Sequence, residues 1–385
     1  YVGAFVDPVG RLDGLPVAVV DLDQAVDVAD QHLAVGEQFV GALRQQDAEQ
    51  KTVRIVELRT EAEARAAIAE NRIVGAIVLP PDLSAKVGEV GTSIGAAEPA
   101  SVLLLGNEGS GSLQPAVFER FATAAVQQLS SAASTQLTGV LSSLGVPIDA
   151  ANVSSLAQPI VATAENVVAI GDSGGRGLPP FYAAVMVTLT ALLAAAALHV
   201  LMGVLTGAER IEVFGRELVV ARRRATRGQR WVAEVILAVP IAALSGLAII
   251  WMTHGVLGAH VDRPGVATAL CMLGVLAMMW FAQGFLFAFG LIGDLLVLLV
   301  TTIFGVPSAR GVYPAEALSG FFRGLGQVLP LRWLTDGLRS AFFFDGSGRA
   351  GLTGAWVAMV IYALVGLLFG AFAITVARIR SGAEL

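Results

Sequence analysis

Long apolar runs fill the second half of the chain, whereas short apolar and polar stretches alternate in the first half. Five runs are long enough for a helix to cross a bilayer, which takes about 20 apolar residues. They cover residues 179–205, 231–253, 265–289, 291–306 and 351–376. Gly and Ala are frequent in these runs, and small residues let helices approach closely in lipid. The pattern predicts an α-helical polytopic membrane bundle.

The first half predicts an α/β domain. Short β-branched runs between turn residues predict strands at 16–23, 52–58, 73–80 and 100–106. Helical spacing predicts helices at 31–46, 60–72 and 112–144, and Thr60 with Glu63 has the spacing of a capping box. Because strands alternate with helices, we expect a mostly parallel sheet. The glycine-rich stretch 171–180 divides this domain, residues 1–178, from a membrane domain, residues 179–385.

Composition and charge agree with this division. Hydrophobic residues make up 55% of the 385 residues, and the mean hydropathy is +0.71. Residues 1–178 have a net charge of −11 and residues 179–385 a net charge of +5. These values exclude an ordinary soluble protein and indicate an acidic aqueous part joined to a membrane part. Two lysines against 23 arginines are typical of a high-GC bacterial genome.

Seven arginines lie between the first two spans, in residues 207–231. Since Arg and Lys are retained on the cytoplasmic side during insertion, we expect this segment inside the cell. Alternation of the spans then places 254–264, 307–350 and the α/β domain outside, which predicts a multi-pass protein of the bacterial inner membrane with residues 1–178 extracytoplasmic. An exported domain also predicts a further span upstream of residue 1.

The arginine segment allows two interpretations. Ile211, Phe214, Leu218 and Val219 form a narrow apolar stripe, which predicts a short amphipathic helix along the inner surface. This helix could serve only as a topology signal that attracts anionic lipid, at about 1 kcal/mol per Arg. It could equally dock a cytosolic partner.

The segment 307–350 is too apolar for a free loop and too interrupted by Gly and Pro for a span. Leu318, Phe321, Phe322 and Leu325 follow helical spacing, and the pattern resumes after the break at Pro330. We expect re-entrant helices within 313–344 that dip into the outer leaflet. A helix pair that lies on the surface and only caps the bundle is the alternative.

Few polar residues interrupt the spans. Glu234 follows Arg230 by four residues, which predicts a snorkelling ion pair. Asp294 is expected to be solvated at the turn between the third and fourth spans. His199, His254 and Gln283 are isolated in the sequence, which argues against a proton path.

Motifs for catalysis are missing from the sequence. No G-x-x-x-x-G-K-[ST] occurs around either lysine, and neither H-E-x-x-H nor G-x-S-x-G is present. The single cysteine, Cys271, predicts a packing residue, and Asp21 and Asp23 predict a cap or turn more readily than a metal site. We therefore expect no enzyme activity, cofactor, metal or nucleic-acid partner.

Four stretches of the chain resemble the YhgE/Pip (phage infection protein) family, whose membrane half is similar to type 2 ABC exporter permeases. They are DPVGRLDGLPVAVVDLD at 7–23, EARAAIAENRIVGAIVLPPDLS at 63–84, LPPFY at 178–182 and the strongest, RGVYPAEALSGFFRGLGQVLPLRWLTDGLRSAF, at 310–342. The resemblance implies six spans in all, a cytosolic coupling segment that seats in an ATPase subunit, and re-entrant helices before the last span. The large outer domain departs from an ordinary permease.

The resemblance assigns roles to two sets of residues. The coupling segment comprises Glu209, Arg210, Glu212, Arg216, Glu217, Arg222, Arg223 and Arg224, and the re-entrant helices include Tyr313, Pro314, Phe321, Phe322, Pro330 and Trp333. The first hypothesis is a homodimeric permease that exports a lipid or other amphipathic envelope molecule, contacts membrane lipids and is energised by a separate cytosolic ATPase subunit. The second is a non-transporting scaffold or receptor whose outer domain binds a secretion-system, envelope or phage partner.

Overall fold

The structure is a computed structural model that describes residues 12–28, 31–50, 52–92, 98–144, 153–206, 212–213, 216–217 and 225–382. The chain forms two compact units. The α/β unit comprises Tyr1–Ile170 with Val312–Leu318, and the helical unit comprises Gly171–Gly311 with Ser319–Leu385. The linear division into 1–178 and 179–385 stays a prediction.

A five-stranded mixed sheet forms the centre of the α/β unit. Its strands are β1 (Leu15–Asp21), β4 (Val53–Leu58), β5 (Gly75–Leu79), β6 (Ala100–Asn107) and β7 (Ile160–Val168), while β2 (Val26–Val28) and β3 (Gln31–Leu33) form a separate hairpin. The order is β4-β1-β5-β6-β7. The β5–β6 pair is antiparallel and the other three pairs are parallel, so a mostly parallel sheet is confirmed.

Helices cover both faces of this sheet. They are α1 (Val35–Gln50), α2 (Glu61–Ala69), α3 (Leu83–Thr92), α4 (Gln114–Leu144) and the short α5 (Val153–Ala157). Side chains alternate along β1, so that Val17 and Val19 enter the larger core while Ala18 and Val20 enter the smaller one against α2. Burial on both faces explains why this strand is a continuous apolar run.

Most predicted elements of this unit are present. The Thr60 cap is confirmed, because Glu63 N donates to Thr60 Oγ1 at 3.2 Å. The Glu63 carboxylate accepts from Arg59 N at 3.0 Å, one residue before the N–H that a capping box uses, so the predicted capping box is met only in its first half. The segment predicted as a helix from residue 31 begins instead with β3, and its helix ends at Gln50. The sequence interpretation missed β7, whose side chains are mostly exposed at the sheet edge and therefore show no apolar alternation.

The helical unit contains, among its described residues, five helices long and apolar enough to cross a membrane. They run over Pro179–Leu205, Arg227–Val256, Pro264–Phe289, Leu291–Ser308 and Gly348–Ile379, which confirms the five predicted spans. Within them lie α6 (Pro179–Leu205), α7 (Arg227–Ile250), α8 (Pro264–Phe289), α9 (Leu291–Leu299), α10 (Gly305–Ser308) and α13 (Thr353–Gly382). The turn between α8 and α9 consists of Gly290, whose φ of 66° is accessible to glycine at little cost.

The central span is α8, which is half buried over its most apolar window and packs against α6, α7 and α13. Glycines allow its close approach to α13. A Cβ on Gly284 would lie 2.6 Å from the carbonyl oxygen of Gly366, and a Cβ on Gly366 would lie 2.4 Å from the backbone of Phe281. Van der Waals packing at such sites is a main source of helix association in lipid.

Two short helices precede the last span. They are α11 (Gly320–Val328) and α12 (Pro330–Phe343), and they are separated at Leu329. The exposed face of α11 carries Phe321, whereas 12 of the 14 residues of α12 are buried within the helical unit. Because α12 packs against α6, α8 and α13, it is an internal element of this unit and not a helix that lies on its surface.

Candidate functional site

A cluster of charged and polar side chains lies inside the helical unit where α6 and α7 pack together. Glu234 is completely buried and accepts a hydrogen bond from Arg230 Nε at 2.9 Å. Its other carboxylate oxygen lies 3.1 Å from His199 Nδ1. Arg230 also donates to the backbone carbonyl of His199. These contacts link the last part of α6 to the first part of α7.

The third helix of the cluster is α8. Gln283 Nε2 donates to the backbone carbonyl of Glu234 at 3.3 Å. The ring of Phe287 meets His199 edge to face at 5.0 Å and lies 5.9 Å from the Arg230 guanidinium carbon. The aromatic ring therefore covers the ion pair on one side and reduces its contact with solvent.

Asp294 of α9 adds a second carboxyl group to this region. The residue is only 9% exposed, it interacts electrostatically with His199, and one of its carboxyl oxygens has no hydrogen-bond partner among the described residues. The expectation that Asp294 is solvated is therefore wrong. The short turn at Gly290 returns the chain directly into the bundle, so the first turn of α9 packs beside α8 instead of facing water.

The same geometry corrects the interpretation of His199 and Gln283 as isolated. The predicted ion pair of Arg230 with Glu234 is present, but both other side chains converge on it. His254 lies outside the cluster and contacts the Ala259 carbonyl at 2.9 Å. The sequence does contain a signal for this cluster. His199, Arg230, Glu234 and Gln283 each lie within about two helical turns of the end of a span, and in consecutive antiparallel spans these ends are on the same side of the bundle.

The cluster brings together the ionisable side chains of His199, Arg230, Glu234 and Asp294. Ionisable residues inside a membrane are rare because each is expensive to bury, and they mark functional sites. The cluster also joins α6 and α7, the two helices that flank the arginine segment, to the central helix α8.

A groove of about 600 Å³ lies between α7 and α13 at the end of the bundle where the arginine segment enters. Its apolar lining includes Trp231, Ile236 and Ile374, and its polar lining includes Gln229 and Arg378. The Trp231 indole packs over Gly370, where a Cβ would lie 2.5 Å from Nε1. The groove thus offers an apolar surface with polar groups at one end, and its volume is within the range of small-molecule sites.

The residues assigned to the coupling segment lie mostly outside the described residues, and these are Glu209, Arg210, Arg222, Arg223 and Arg224. Glu212 belongs to a two-residue strand, β8 (Glu212–Val213), and Arg216 and Glu217 form its antiparallel partner, β9 (Arg216–Glu217). The expected helix is therefore not formed at these positions. The β-branched Val213 and the glycine at 215 disfavour a helix here.

The residues assigned to the re-entrant helices divide between the two units. Tyr313 and Pro314 belong to the α/β unit, where Tyr313 packs against the larger core. Phe321 and Phe322 lie on α11 with their rings 5.3 Å apart. Pro330 is buried at the first turn of α12, and Trp333 Nε1 donates to the Gln327 carbonyl at 3.1 Å, which joins α12 to α11. Their depth in a membrane stays a prediction.

Asp23 caps two helices of the α/β unit. Its carboxylate accepts hydrogen bonds from Gly36 N at 2.9 Å, from Ser84 N at 2.8 Å and from Ser84 Oγ at 2.5 Å, at the first turns of α1 and α3. Asp21 accepts from Asp23 N at 3.0 Å. Of the two interpretations of this acidic pair, the geometry favours the cap and turn. Within the described ranges, no group of three or more His, Cys, Asp or Glu could hold a metal ion.

The fold and the buried cluster define a polytopic membrane protein with an α/β unit and a polar centre in its helical bundle. A family model described as ABC-2 family transporter protein matches residues 3–374. The chain therefore belongs to the ABC-2 transporter family and is the membrane component of a transport system. The search of the curated proteins gives no match.

Proposed function

We propose that this chain is a permease that exports a lipid or another amphipathic envelope molecule across a bacterial inner membrane, working as a homodimer. The groove between α7 and α13 carries the proposal. Ile236 is 63% exposed within this groove, and the polar groups of Gln229 and Arg378 lie at its end near the arginine segment. An acyl chain would contact the apolar lining while a headgroup contacts the polar end.

The energy would come from a separate ATPase subunit on the cytosolic side. Family membership supports this part, because ABC-2 permeases work with such subunits. The subunit would contact the coupling segment from Glu209 to Arg224, and the buried pair of Arg230 with Glu234 would transmit its movement to α8. We retain the resemblance to the YhgE/Pip group, with residues 1–178 outside the cell, as part of this proposal.

Filling the groove tests the proposal directly. Ile236→Trp should block lipid movement in proteoliposomes that contain the chain with its copurified ATPase, because the larger side chain occupies the groove. Leu244→Trp is a matched control on the same helix, since Leu244 is also exposed, at 69%, but does not line the groove. Equal transport by both variants and the unchanged chain would contradict a role for the groove.

The source of energy needs its own test. Purification from the native host in mild detergent should recover an ATPase subunit, and a variant with Arg222→Glu, Arg223→Glu and Arg224→Glu should lose it. If that variant inserts with unchanged topology and still binds the ATPase, the arginine segment is neither a coupling element nor a topology signal.

A cavity in the α/β unit favours the scaffold as a second candidate function. It has a volume of about 310 Å³ and is lined by Leu43, Ile55, Val117 and Phe121, with Arg120 beside them. Such a lining could accept an apolar group of an envelope partner. If Ile55→Trp abolishes the cellular phenotype of the protein while Ile236→Trp leaves it intact, the scaffold replaces the permease as the better proposal.

A further inference from the structure

Three charged residues follow one face of α12, far along the sequence from the cluster around Glu234. Arg332, Asp336 and Arg339 have the spacing i, i+4 and i+7, which places their side chains in one row. Arg332 is 9% exposed and Arg339 is 3% exposed. Two guanidinium groups are thus enclosed within the helical unit.

One carboxylate is shared between these two cations. Arg332 Nε lies 3.5 Å from one oxygen of Asp336, and Arg339 Nη1 lies 3.6 Å from the other. Both separations exceed the roughly 2.7–2.9 Å of a charge-assisted hydrogen bond. Among the described residues, Asp336 is the one carboxylate within ion-pair distance of either group.

Arg310 increases the excess of positive charge. Its charge opposes those of both buried guanidinium groups. Its backbone has a φ of 53°, which is uncommon for a residue with a side chain, and its carbonyl accepts a hydrogen bond from Arg339 Nη2 at 2.9 Å. The chain is therefore held in an unusual conformation beside α12, with three cations around one carboxylate.

Several donors of this group have no hydrogen-bond partner within the described part of the chain. They are Nε and Nη1 of Arg332, Nε of Arg339 and the hydroxyl of Ser308. Ser308 and Arg332 flank the same glycine, since a Cβ on Gly326 would lie 3.4 Å from Ser308 Cβ and 3.5 Å from Arg332 Cδ. A buried donor without an acceptor destabilises the folded chain, so the arrangement favours the binding of a further acceptor.

We propose that Arg332, Arg339 and Ser308 form a binding site for an oxyanion of the phosphate type. The planar guanidinium groups match a phosphate geometrically, and the anion would supply both the missing negative charge and the missing acceptors. Such a group can come from a lipid headgroup or from free phosphate. The proposal concerns binding alone and does not depend on whether the chain transports lipid.

The test uses the full chain in neutral detergent with three probes, which are dioctanoyl phosphatidylglycerol, dioctanoyl phosphatidylcholine and inorganic phosphate. Binding is measured by native mass spectrometry and by the shift in Tm. We expect phosphatidylglycerol or phosphate to bind, and Arg332→Gln to weaken that binding about tenfold or more. Arg263→Gln is the control, because Arg263 is exposed and pairs with Asp345 at 2.5 Å.

A gain of affinity separates the proposal from a folding defect. Asp336→Asn removes the carboxylate that competes with the anion, so it should tighten binding about threefold or more, whereas Ser308→Ala should weaken it without the loss of a charge. Binding of phosphatidylglycerol alone would identify a headgroup site, and binding of phosphate alone a site for the free anion. Equal binding of the two lipids would show that the site recognises the phosphodiester itself, which both lipids carry. Absence of binding by all three probes, or no response to Arg332→Gln and Asp336→Asn, would overturn the proposal.

Discussion

Removal of the Glu234 carboxylate should destabilise the helical unit strongly. Glu234→Ala leaves Arg230, whose side chain is 16% exposed, without its ion partner at 2.9 Å, and removes the acceptor 3.1 Å from His199. Breaking a buried pair by deletion of one partner costs about 3–5 kcal/mol, because the remaining charge stays desolvated. Glu234→Gln keeps an oxygen acceptor and should cost less, about 1–3 kcal/mol.

The double variant Arg230→Met with Glu234→Leu forms a thermodynamic cycle with its own two single variants, Arg230→Met and Glu234→Leu. It removes both charges and places apolar side chains of similar length in the same region, so most of the lost stability should return. The assay is unfolding of the purified full chain in detergent, followed by tryptophan fluorescence. Trp280 is a useful reporter, because its Nε1 donates to the Val235 carbonyl at 3.1 Å.

The result that would refute this reasoning is a double variant at least as unstable as the sum of its two single variants. A loss of less than about 1 kcal/mol for Glu234→Ala would refute it as well, because that value is typical of ion pairs exposed to solvent. Leu244→Ala is a suitable control, since Leu244 is exposed on the same helix and its truncation should change the unfolding free energy little.

Three further predictions concern single positions. Gly366→Leu should lower the Tm of the full chain, because a Cβ there would lie 2.4 Å from the Phe281 backbone. The control Gly265→Ala should leave the Tm unchanged, because a Cβ there would have no neighbour within 4 Å. Equal Tm values for the two variants would contradict the close packing of α8 and α13. Asp23→Ala should destabilise the α/β unit by about 1–3 kcal/mol, because it removes the caps of two helices. The measurement is amide hydrogen exchange, which should become faster in α1 and α3. Unaltered exchange would show that Asp23 does not stabilise these helices. Partial burial, together with the negative charges of Asp23 and Glu37, raises the pKa of Asp21. The contribution of Asp21 to the stability of the folded chain is therefore present below its ordinary pKa of 3.8 and is lost as the pH rises through the raised pKa. Asp21→Asn should therefore raise the Tm at about pH 7, with a difference that shrinks towards about pH 4; a difference independent of pH would count against this assignment.

The spans and most of the sheet could be predicted because each depends on local sequence. A run of about 20 apolar residues is by itself long enough to cross the bilayer as a helix. The cap of α2 is equally local, because it involves only residues from Arg59 to Glu63. The edge strand β7 has no such local signal and cannot be predicted from its own residues. Its residues are mostly exposed, and its identity as a strand depends on pairing with β6.

The candidate sites depended on the packing of distant segments. His199, Glu234 and Gln283 are each single polar residues in an apolar run, and they became a cluster only through the positions of α6, α7 and α8. The sequence predicts a solvated Asp294, which is wrong because the single-glycine turn at Gly290 returns the chain directly into the bundle. The excess of cations on α12 was likewise visible only once the burial of Arg332 and Arg339 was known.

Sequence alone determined the membrane character, the five spans, the α/β type of the first part and the absence of nucleotide-binding motifs, because hydropathy, periodicity and short motifs act over a few turns. Tertiary structure alone decided which polar side chains share a buried environment and which remain in contact with water. The physical reason is that the cost of burying a charge depends on the partners within about 4 Å, and here those partners come from helices tens of residues apart in the chain.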